Sequence, residues 1–119
     1  MTTKEVADQL IAFCRAGKFV EAINELYAAD VKQSENGTPA PSGRDELAKL
    51  CQGWLDSRVL HGTEFLGTHV GPESFVVEMR YDVTPQSTKQ REQWSEAGVY
   101  RVRDGRITDV RFYYRPPAG

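Results

Sequence analysis

The pair Asp104-Gly105 near the C-terminus constrains the fold of this chain more than any other feature. It separates two runs, residues 96–103 and 106–114, that are rich in β-branched and aromatic residues. Glycine accepts the positive φ that a two-residue hairpin turn needs, so the pattern predicts a β-hairpin. The first half of the chain instead reads as helices. Helices first and long strands last indicate an α+β domain, with helices packed on one face of an antiparallel sheet.

Composition limits the size and the class of the protein. The chain has 119 residues, which suits one domain over residues 1–119 with one hydrophobic core. A net charge of -2 and the lack of a basic block argue against a nucleic-acid partner. No apolar run approaches the roughly 20 residues that span a bilayer, so no membrane partner is expected. Residues 1–5 contain no apolar signal-peptide core, which predicts a cytoplasmic protein.

Three amphipathic helices are predicted ahead of the long strands. The first begins after a capping box, in which Thr2 caps the helix and Glu5 reaches back, and it ends at Gly17. The second begins at Phe19, and the third ends near Ser57. Residues 30–35 suit a short first strand. Residues 36–43 contain two Pro and two Gly and are predicted to form a loop.

Four strand-like stretches follow the helices, over about residues 59–69, 74–84, 90–103 and 106–115. Strict pairing in the last hairpin would bury Asp109 and Arg111, whereas a β-bulge at Thr108-Asp109 avoids this. The bulged register turns Glu96 inward, among aromatic side chains. In the second stretch, alternation places one apolar row against the helices: Phe75, Val77, Met79, Tyr81 and Val83.

The cysteines and histidines indicate neither a metal site nor a disulfide. Cys14 and Cys51 fall at apolar helical positions, which favours buried, reduced thiols. With only His61 and His69 in the chain, a histidine-based metal triad is unsupported. Glycine-rich phosphate-binding motifs are also missing from the sequence. We therefore expect neither a metal ion nor another cofactor.

Three local motifs, residues 16–22, 26–31 and 99–107, resemble the SnoaL-like proteins. These proteins form part of the nuclear transport factor two-like superfamily, of the ketosteroid isomerase and polyketide cyclase type. The resemblance implies a cystatin-like α+β fold: a cone-shaped, curved antiparallel sheet packed on three N-terminal helices, with a pocket between them. Members include isomerases, cyclases, dehydratases and non-catalytic binding modules, so the fold leaves the activity open.

The resemblance assigns possible roles to two acidic residues. Counted from residues 26–30, Glu35 matches the position of the isomerase carboxylate that moves a proton next to a carbonyl group. Its alternative role is that of an exposed acid at the end of a strand. Glu96 matches, in approximate place, an acid that an apolar site keeps neutral so that it donates a hydrogen bond to an oxyanion. The alternative for Glu96 is a structural hydrogen bond or ion pair.

His61 and a group of aromatic residues complete the candidate site. His61 begins a strand and could be a base, a hydrogen-bond donor to a ligand, or a structural core histidine. The isomerases carry a tyrosine oxyanion donor on the first helix, whereas the matching position here is near Ile11, which cannot donate. Tyrosines elsewhere would have to replace it. The predicted ligand-binding residues are Trp54, Tyr100, Tyr81, Tyr114 and Tyr27.

Two functions remain open at this point, and so does the question of whether the protein is an enzyme. The first is cofactor-free proton transfer, as in isomerisation, cyclisation or dehydration, on an apolar carbonyl compound bound in the pocket. The alternative is a non-catalytic homodimeric module for ligand binding or an accessory role. In either case we expect a homodimer through the outer sheet face, to which Val76, Ala97 and Val99 add apolar area. An open cavity reached by Glu35 would favour the enzyme.

Overall fold

Helices dominate the first half of the chain and strands the second half, as predicted. The computed structural model describes residues 1–115, so the last four residues of the predicted domain lie outside it. The helices are α1 (Thr3–Arg15), α2 (Phe19–Leu26) and α3 (Arg44–Asp56). The strands are β1 (Tyr27–Glu35), β2 (Thr38–Pro39), β3 (Arg58–Val70), β4 (Ser74–Pro85), β5 (Glu92–Arg103) and β6 (Arg106–Tyr114). No helix within residues 1–115 has the length and apolar content needed to cross a membrane.

All six strands form one curved sheet in the order β2-β1-β6-β5-β4-β3. Its neighbouring strands are antiparallel except for β1 and β6, which run parallel. The sheet is therefore mainly antiparallel, as expected, with one parallel pair. A parallel pair needs a long crossover connection, and α3 together with β3 to β5 supplies it. The sheet is not closed, because the edge strands β2 and β3 do not pair within the described residues.

The core lies between the helices and the inner face of the sheet. The predicted inner row of β4 is buried throughout, with each side chain at most 8% exposed: Phe75, Val77, Met79, Tyr81 and Val83. Val6 and Leu10 of α1 pack against this row from the helical layer. Each large apolar side chain buried here contributes about 1.5–3 kcal/mol. At the start of α1, the Thr2 hydroxyl accepts a hydrogen bond from the Glu5 N–H, which completes the predicted capping box.

The hairpin of β5 and β6 has the predicted turn and the predicted bulge. Asp104 and Gly105 have φ values of 52° and 75°, as a primed two-residue turn requires. Val102 pairs with Ile107 but Arg101 pairs with Asp109, so β6 contains one extra residue at this point. This shift places Glu96 opposite Tyr114. The bulge therefore determines which side chains of β6 beyond Ile107 face the helices: Val110, Phe112 and Tyr114.

A second hairpin lies where only a loop was predicted. Asn36 and Gly37, with φ values of 51° and 84°, join β1 to the two-residue strand β2. Asn-Gly is the residue pair most typical of such turns, so the sequence contained the indication. The prediction was wrong because the following strand is very short and contains Pro39, which weakens the strand pattern. This turn holds Glu35 at the edge of the inner face.

Candidate functional site

A cavity of about 510 Å³ lies between the three helices and the inner face of the sheet. Its size falls within the range of pockets that hold small organic ligands. Most of the wall is apolar or aromatic. A few polar and charged side chains interrupt the apolar wall: Gln33, Glu35, Arg58, Glu92, Glu96 and the hydroxyl groups of Tyr27, Tyr81, Tyr100 and Tyr114.

Gly98 makes room for Tyr100 at the base of the cavity. A Cβ atom on Gly98 would lie 2.7 Å from Cε2 of Tyr100 and 3.1 Å from its hydroxyl oxygen. The Tyr100 ring therefore lies across the backbone of Gly98, and it stacks on Phe75 with a centroid distance of 4.8 Å. Since inward positions on β5 alternate, Glu96 is the next inward residue beyond Gly98. The Tyr100 hydroxyl is thus directed along β5 toward Glu96.

Glu96 is half-buried in the cavity wall. Loss of hydration, followed by the negative charge of Glu35, raises the pKa of its carboxyl group from 4.5 to about 7. The Tyr81 hydroxyl lowers the pKa of Glu96 by a smaller amount. That hydroxyl lies 3.5 Å from Sδ of Met79, a weak acceptor, so its proton remains available to the carboxylate. The raised pKa agrees with the expectation, taken from the resemblance, of an acid at this position that its apolar site favours in the neutral form.

Glu35 lines the same cavity but is exposed, which places it at the mouth. Its charge contributes to the raised pKa of both Glu96 and Tyr114. Asn36 holds this end of β1 against the end of β6. Its Nδ2 donates to the Tyr114 carbonyl and its Oδ1 accepts from the Tyr114 N–H, both at 2.9 Å. A carboxylate at the mouth and a carboxyl group in the wall therefore face one cavity.

Two buried tyrosines supply hydroxyl groups deeper in the cavity. Tyr27 is 4% exposed and Tyr100 is 3% exposed. Burial raises the pKa of both phenols far above 10, so both remain protonated donors at neutral pH. Within the described residues, neither hydroxyl has a partner at hydrogen-bond distance. Both are therefore available to a molecule in the cavity.

Trp54, Tyr81 and Trp94 form an aromatic cluster in the wall between α3 and the sheet. Their ring centroids lie 5.5 to 6.4 Å apart, in tilted and edge-on arrangements. All five aromatic residues predicted to bind a ligand line the cavity. Their contact with a ligand remains a prediction, as do the catalytic roles of Glu35 and Glu96.

His61 does not belong to the cavity, so its predicted place in the pocket wall is wrong. A bulge lies between Leu60, which pairs with Val83, and Gly62, which pairs with Asp82. His61 is the extra residue at this bulge, and it is exposed. Its Nε2 lies 2.7 Å from Oγ1 of Thr84, on the outer face of the sheet. Strict alternation back from Thr63 and Phe65, which pair with the inner row of β4, would place His61 on the inner face, and the bulge reverses that placement.

Arg58 is a cavity residue that sequence reasoning missed. Its Nη1 donates to the Trp54 carbonyl at 3.1 Å and to the Ser57 hydroxyl at 2.8 Å. The guanidinium carbon lies 4.6 Å from the centre of the Trp54 ring, a cation–π contact. The sequence contained one indication that Arg58 lines the cavity, because Arg58 lies between the amphipathic third helix and the inward-facing row of the next strand. A single arginine there is too common to have been singled out.

The two thiols also face the cavity. Cys14 is buried and Cys51 is half-buried, and both are free, as predicted. Burial raises the pKa of Cys14 to about 12 and that of Cys51 to about 11, so both are protonated and weak nucleophiles. Within residues 1–115, no three His, Cys, Asp or Glu side chains are grouped so that they could hold a metal ion.

A helical layer over an open curved sheet, with an acidic and aromatic-walled cavity between them, defines a small α+β pocket protein. The SnoaL-like domain model matches residues 1–114, so the chain belongs to the SnoaL-like family. The resemblance seen in the sequence is thereby confirmed. No functionally curated protein matches the chain in sequence.

Solved structures of similar proteins agree with this assignment. A Mesorhizobium loti protein, provisionally described as a SnoaL-like polyketide cyclase, is 30% identical, with a TM-score of 0.88; the match covers 96% of this chain and all of that one. A Xanthomonas campestris protein, provisionally described as a polyketide cyclase, is 20% identical, with a TM-score of 0.78 and coverage of 95% and 90%. An epoxide hydrolase from M. tuberculosis shares the fold at 17% identity, with a TM-score of 0.75 and coverage of 96% and 84%.

Proposed function

We propose that the protein binds an apolar carbonyl compound in this cavity and moves a proton between positions of that compound without a cofactor. The observation that carries the proposal is the pair Glu35 and Glu96. Glu35 lies at the hydrated mouth, while burial and the charge of Glu35 raise the pKa of Glu96 to about 7, so that a large fraction of Glu96 is still protonated at neutral pH. Two acidic groups with different environments can serve as base and acid in one reaction.

The roles follow from the position of each group. The Glu35 carboxylate removes a proton from the carbon next to the carbonyl. The electron pair of that C–H bond forms a carbon–carbon double bond, and the π pair of the C=O bond moves to the oxygen. The resulting enolate oxygen accepts hydrogen bonds from protonated Glu96 and from Tyr100. In a β,γ-unsaturated carbonyl compound, protonated Glu35 returns its proton to the γ-carbon of the dienolate, and the double bond moves next to the carbonyl group, which completes an isomerisation. In a cyclisation, the enolate carbon instead attacks a second carbonyl carbon of the compound, and Glu35 gives its proton to the alkoxide oxygen that forms. Tyr27 and Tyr100 supply the donors that the position near Ile11 lacks.

The first experiment measures exchange of the α-protons of small cyclic ketones in D₂O by ¹H NMR, because this reaction requires no knowledge of the natural substrate. The protein should accelerate exchange, and Glu35→Gln should slow the catalysed rate by roughly 10²-fold or more, the usual contribution of a general base. Glu78→Gln removes an exposed carboxylate from β4 and serves as the matched control. Equal catalysed rates in Glu35→Gln and the wild type would rule out Glu35 as the base.

The alternative proposal is a non-catalytic homodimeric module that uses the outer sheet face. Val76 pairs with Val99 and Ala97 pairs with Tyr113, so these four side chains are neighbours on that face. Tyr113 is 48% exposed, which is high for a large aromatic side chain. Light scattering should give a dimer, and Val99→Glu should shift the protein toward the monomer. A wild-type monomer at all concentrations would contradict dimerisation, which is independent of the test of proton transfer.

A further inference from the structure

Arg58 brings a positive charge without an acidic partner into the cavity. Lysine is not found in the cavity wall, and Arg58 is its one arginine within the described residues. Among residues 1–115, no carboxylate oxygen lies within 4.0 Å of the side-chain nitrogens of Arg58. Since a half-buried guanidinium group loses part of its hydration, an anionic partner would be favourable at this point.

The guanidinium group is oriented before any ligand arrives. Nη1 is held by the Trp54 carbonyl and the Ser57 hydroxyl, and the Trp54 ring supports the planar face. Nε and Nη2 have no acceptor within the described residues, and together they carry three N–H groups. Two parallel N–H groups of this kind fit the two oxygens of a carboxylate. The N–H groups of Nε and Nη2 are therefore the part of the guanidinium group that is available to an anion.

Arg58 lies at one end of the cavity wall, and the acidic pair Glu35 and Glu96 lies at the other. Glu96 pairs with Met79 on β4, and Arg58 pairs with Pro85 on the same strand. The six residue steps from Met79 to Pro85 correspond to roughly 20 Å along the strand. The long side chain of Arg58 folds back over Trp54 and shortens this separation. A ligand that contacts both ends must therefore be elongated.

We propose that the natural ligand carries a carboxylate, which Arg58 binds, at the end opposite its carbonyl group. This inference rests on the proposed function, because it adds an anionic group to the same apolar carbonyl compound. Arg58 acts here as a specificity-determining residue that positions the ligand. The apolar body of the ligand then lies along Trp54, Tyr81 and Trp94, and its carbonyl group points toward Glu96.

Glu92 is the acidic residue that could oppose this arrangement. It lines the cavity and belongs to the inward row of β5, at the Arg58 end of that strand. Its carboxylate does not reach Arg58, and its charge repels an anionic ligand. Removal of this charge favours an anionic ligand, so Glu92→Gln should raise the affinity for a carboxylate.

The test compares two probes that differ only in the carboxylate: 4'-hydroxybiphenyl-4-carboxylate and 4-hydroxybiphenyl. Isothermal titration calorimetry at pH 7.5 should show that the wild type binds the carboxylate probe about tenfold more tightly or better, as charge-assisted hydrogen bonds provide. Arg58→Met should remove this preference, so that the variant binds the two probes with about equal affinity. Binding of the neutral probe also shows that the variant is folded. Arg58→Lys keeps the charge without the fork and should retain part of the preference.

Three outcomes would overturn the inference: no preference for the carboxylate in the wild type, a full preference in Arg58→Met, or no binding of the carboxylate probe. The proton-transfer proposal fails separately. If Glu35→Gln leaves ketone exchange unchanged while the Arg58-dependent preference is present, the anion site is supported and the catalytic role is not. If ketone exchange depends on Glu35 but the wild type shows no preference for the carboxylate probe, proton transfer by Glu35 is supported and the proposed carboxylate of the ligand is not.

Discussion

Replacing Glu96 with glutamine should stabilise the protein at alkaline pH and have little effect in acid. Glutamine has nearly the shape of protonated glutamate but cannot ionise. In the wild type, burial and the charge of Glu35 raise the pKa of Glu96 from 4.5 to about 7. The variant therefore avoids the cost of an ionised carboxylate in the cavity wall.

The sign and the size of the effect follow from linkage. Glu96 ionises in the unfolded chain near pH 4.5 but in the folded protein only near pH 7. Its contribution to stability is therefore complete below pH 4.5, falls as the pH rises from 4.5 to 7, and is lost above 7. A pKa raised from 4.5 to about 7 corresponds to about 3 kcal/mol, since a tenfold change in acidity is worth about 1.4 kcal/mol.

Urea unfolding followed by tryptophan fluorescence, from pH 4 to pH 8.5, measures this contribution. Both tryptophans of the chain, Trp54 and Trp94, line the cavity, so the signal comes from the region of interest. The unfolding free energy of Glu96→Gln minus that of the wild type should be near zero at pH 4 and rise to about 3 kcal/mol above pH 7.5. Taking the difference between the two unfolding free energies removes the contribution of every other group that titrates equally in both proteins.

Two variants separate the causes of the effect. Glu78→Gln removes an exposed carboxylate from the outer face and controls for the loss of one negative charge. Glu35→Gln removes the second cause of the shift, so the pKa of Glu96 should fall but stay above 4.5, because burial is the larger cause. A flat difference curve for Glu96→Gln between pH 4 and pH 8.5 would refute the argument. A curve that falls with pH would mean that an opposite charge stabilises ionised Glu96.

Two further predictions concern packing and thiol reactivity. Gly98→Ala should destabilise the protein by about 1–3 kcal/mol, because its Cβ would lie 2.7 Å from Tyr100, whereas Gly53→Ala, in open space within α3, should stabilise it slightly. Equal effects in urea unfolding would contradict the close approach at Gly98. Cys14 and Cys51 should react with an aromatic disulfide reagent at pH 8 far more slowly than free cysteine, because burial raises their pKa to about 12 and about 11. A rate equal to that of free cysteine would show that the cavity wall opens readily.

Short-range patterns in the sequence were sufficient for much of the fold. The turn at Asp104-Gly105 and the capping box at Thr2 depend on residues that are neighbours in the chain, and both are confirmed. The buried row of β4 follows from strand geometry alone, because alternate residues must face the same side. The β6 bulge could be predicted because the alternative register would have buried charged side chains.

Other features depend on long-range contacts, and only the tertiary structure decided them. The parallel pairing of β1 with β6 and the extra residue at His61 come from how distant strands align, which no local pattern encodes. Part of the upward shift in the pKa of Glu96 comes from Glu35, which is far away in the chain. The free fork of Arg58 depends on the end of α3 and on the distance of every carboxylate from it. The sequence by itself therefore determined the elements and the family, while the charges that meet in the cavity were decided by folding, because electrostatic interactions depend on distance in space.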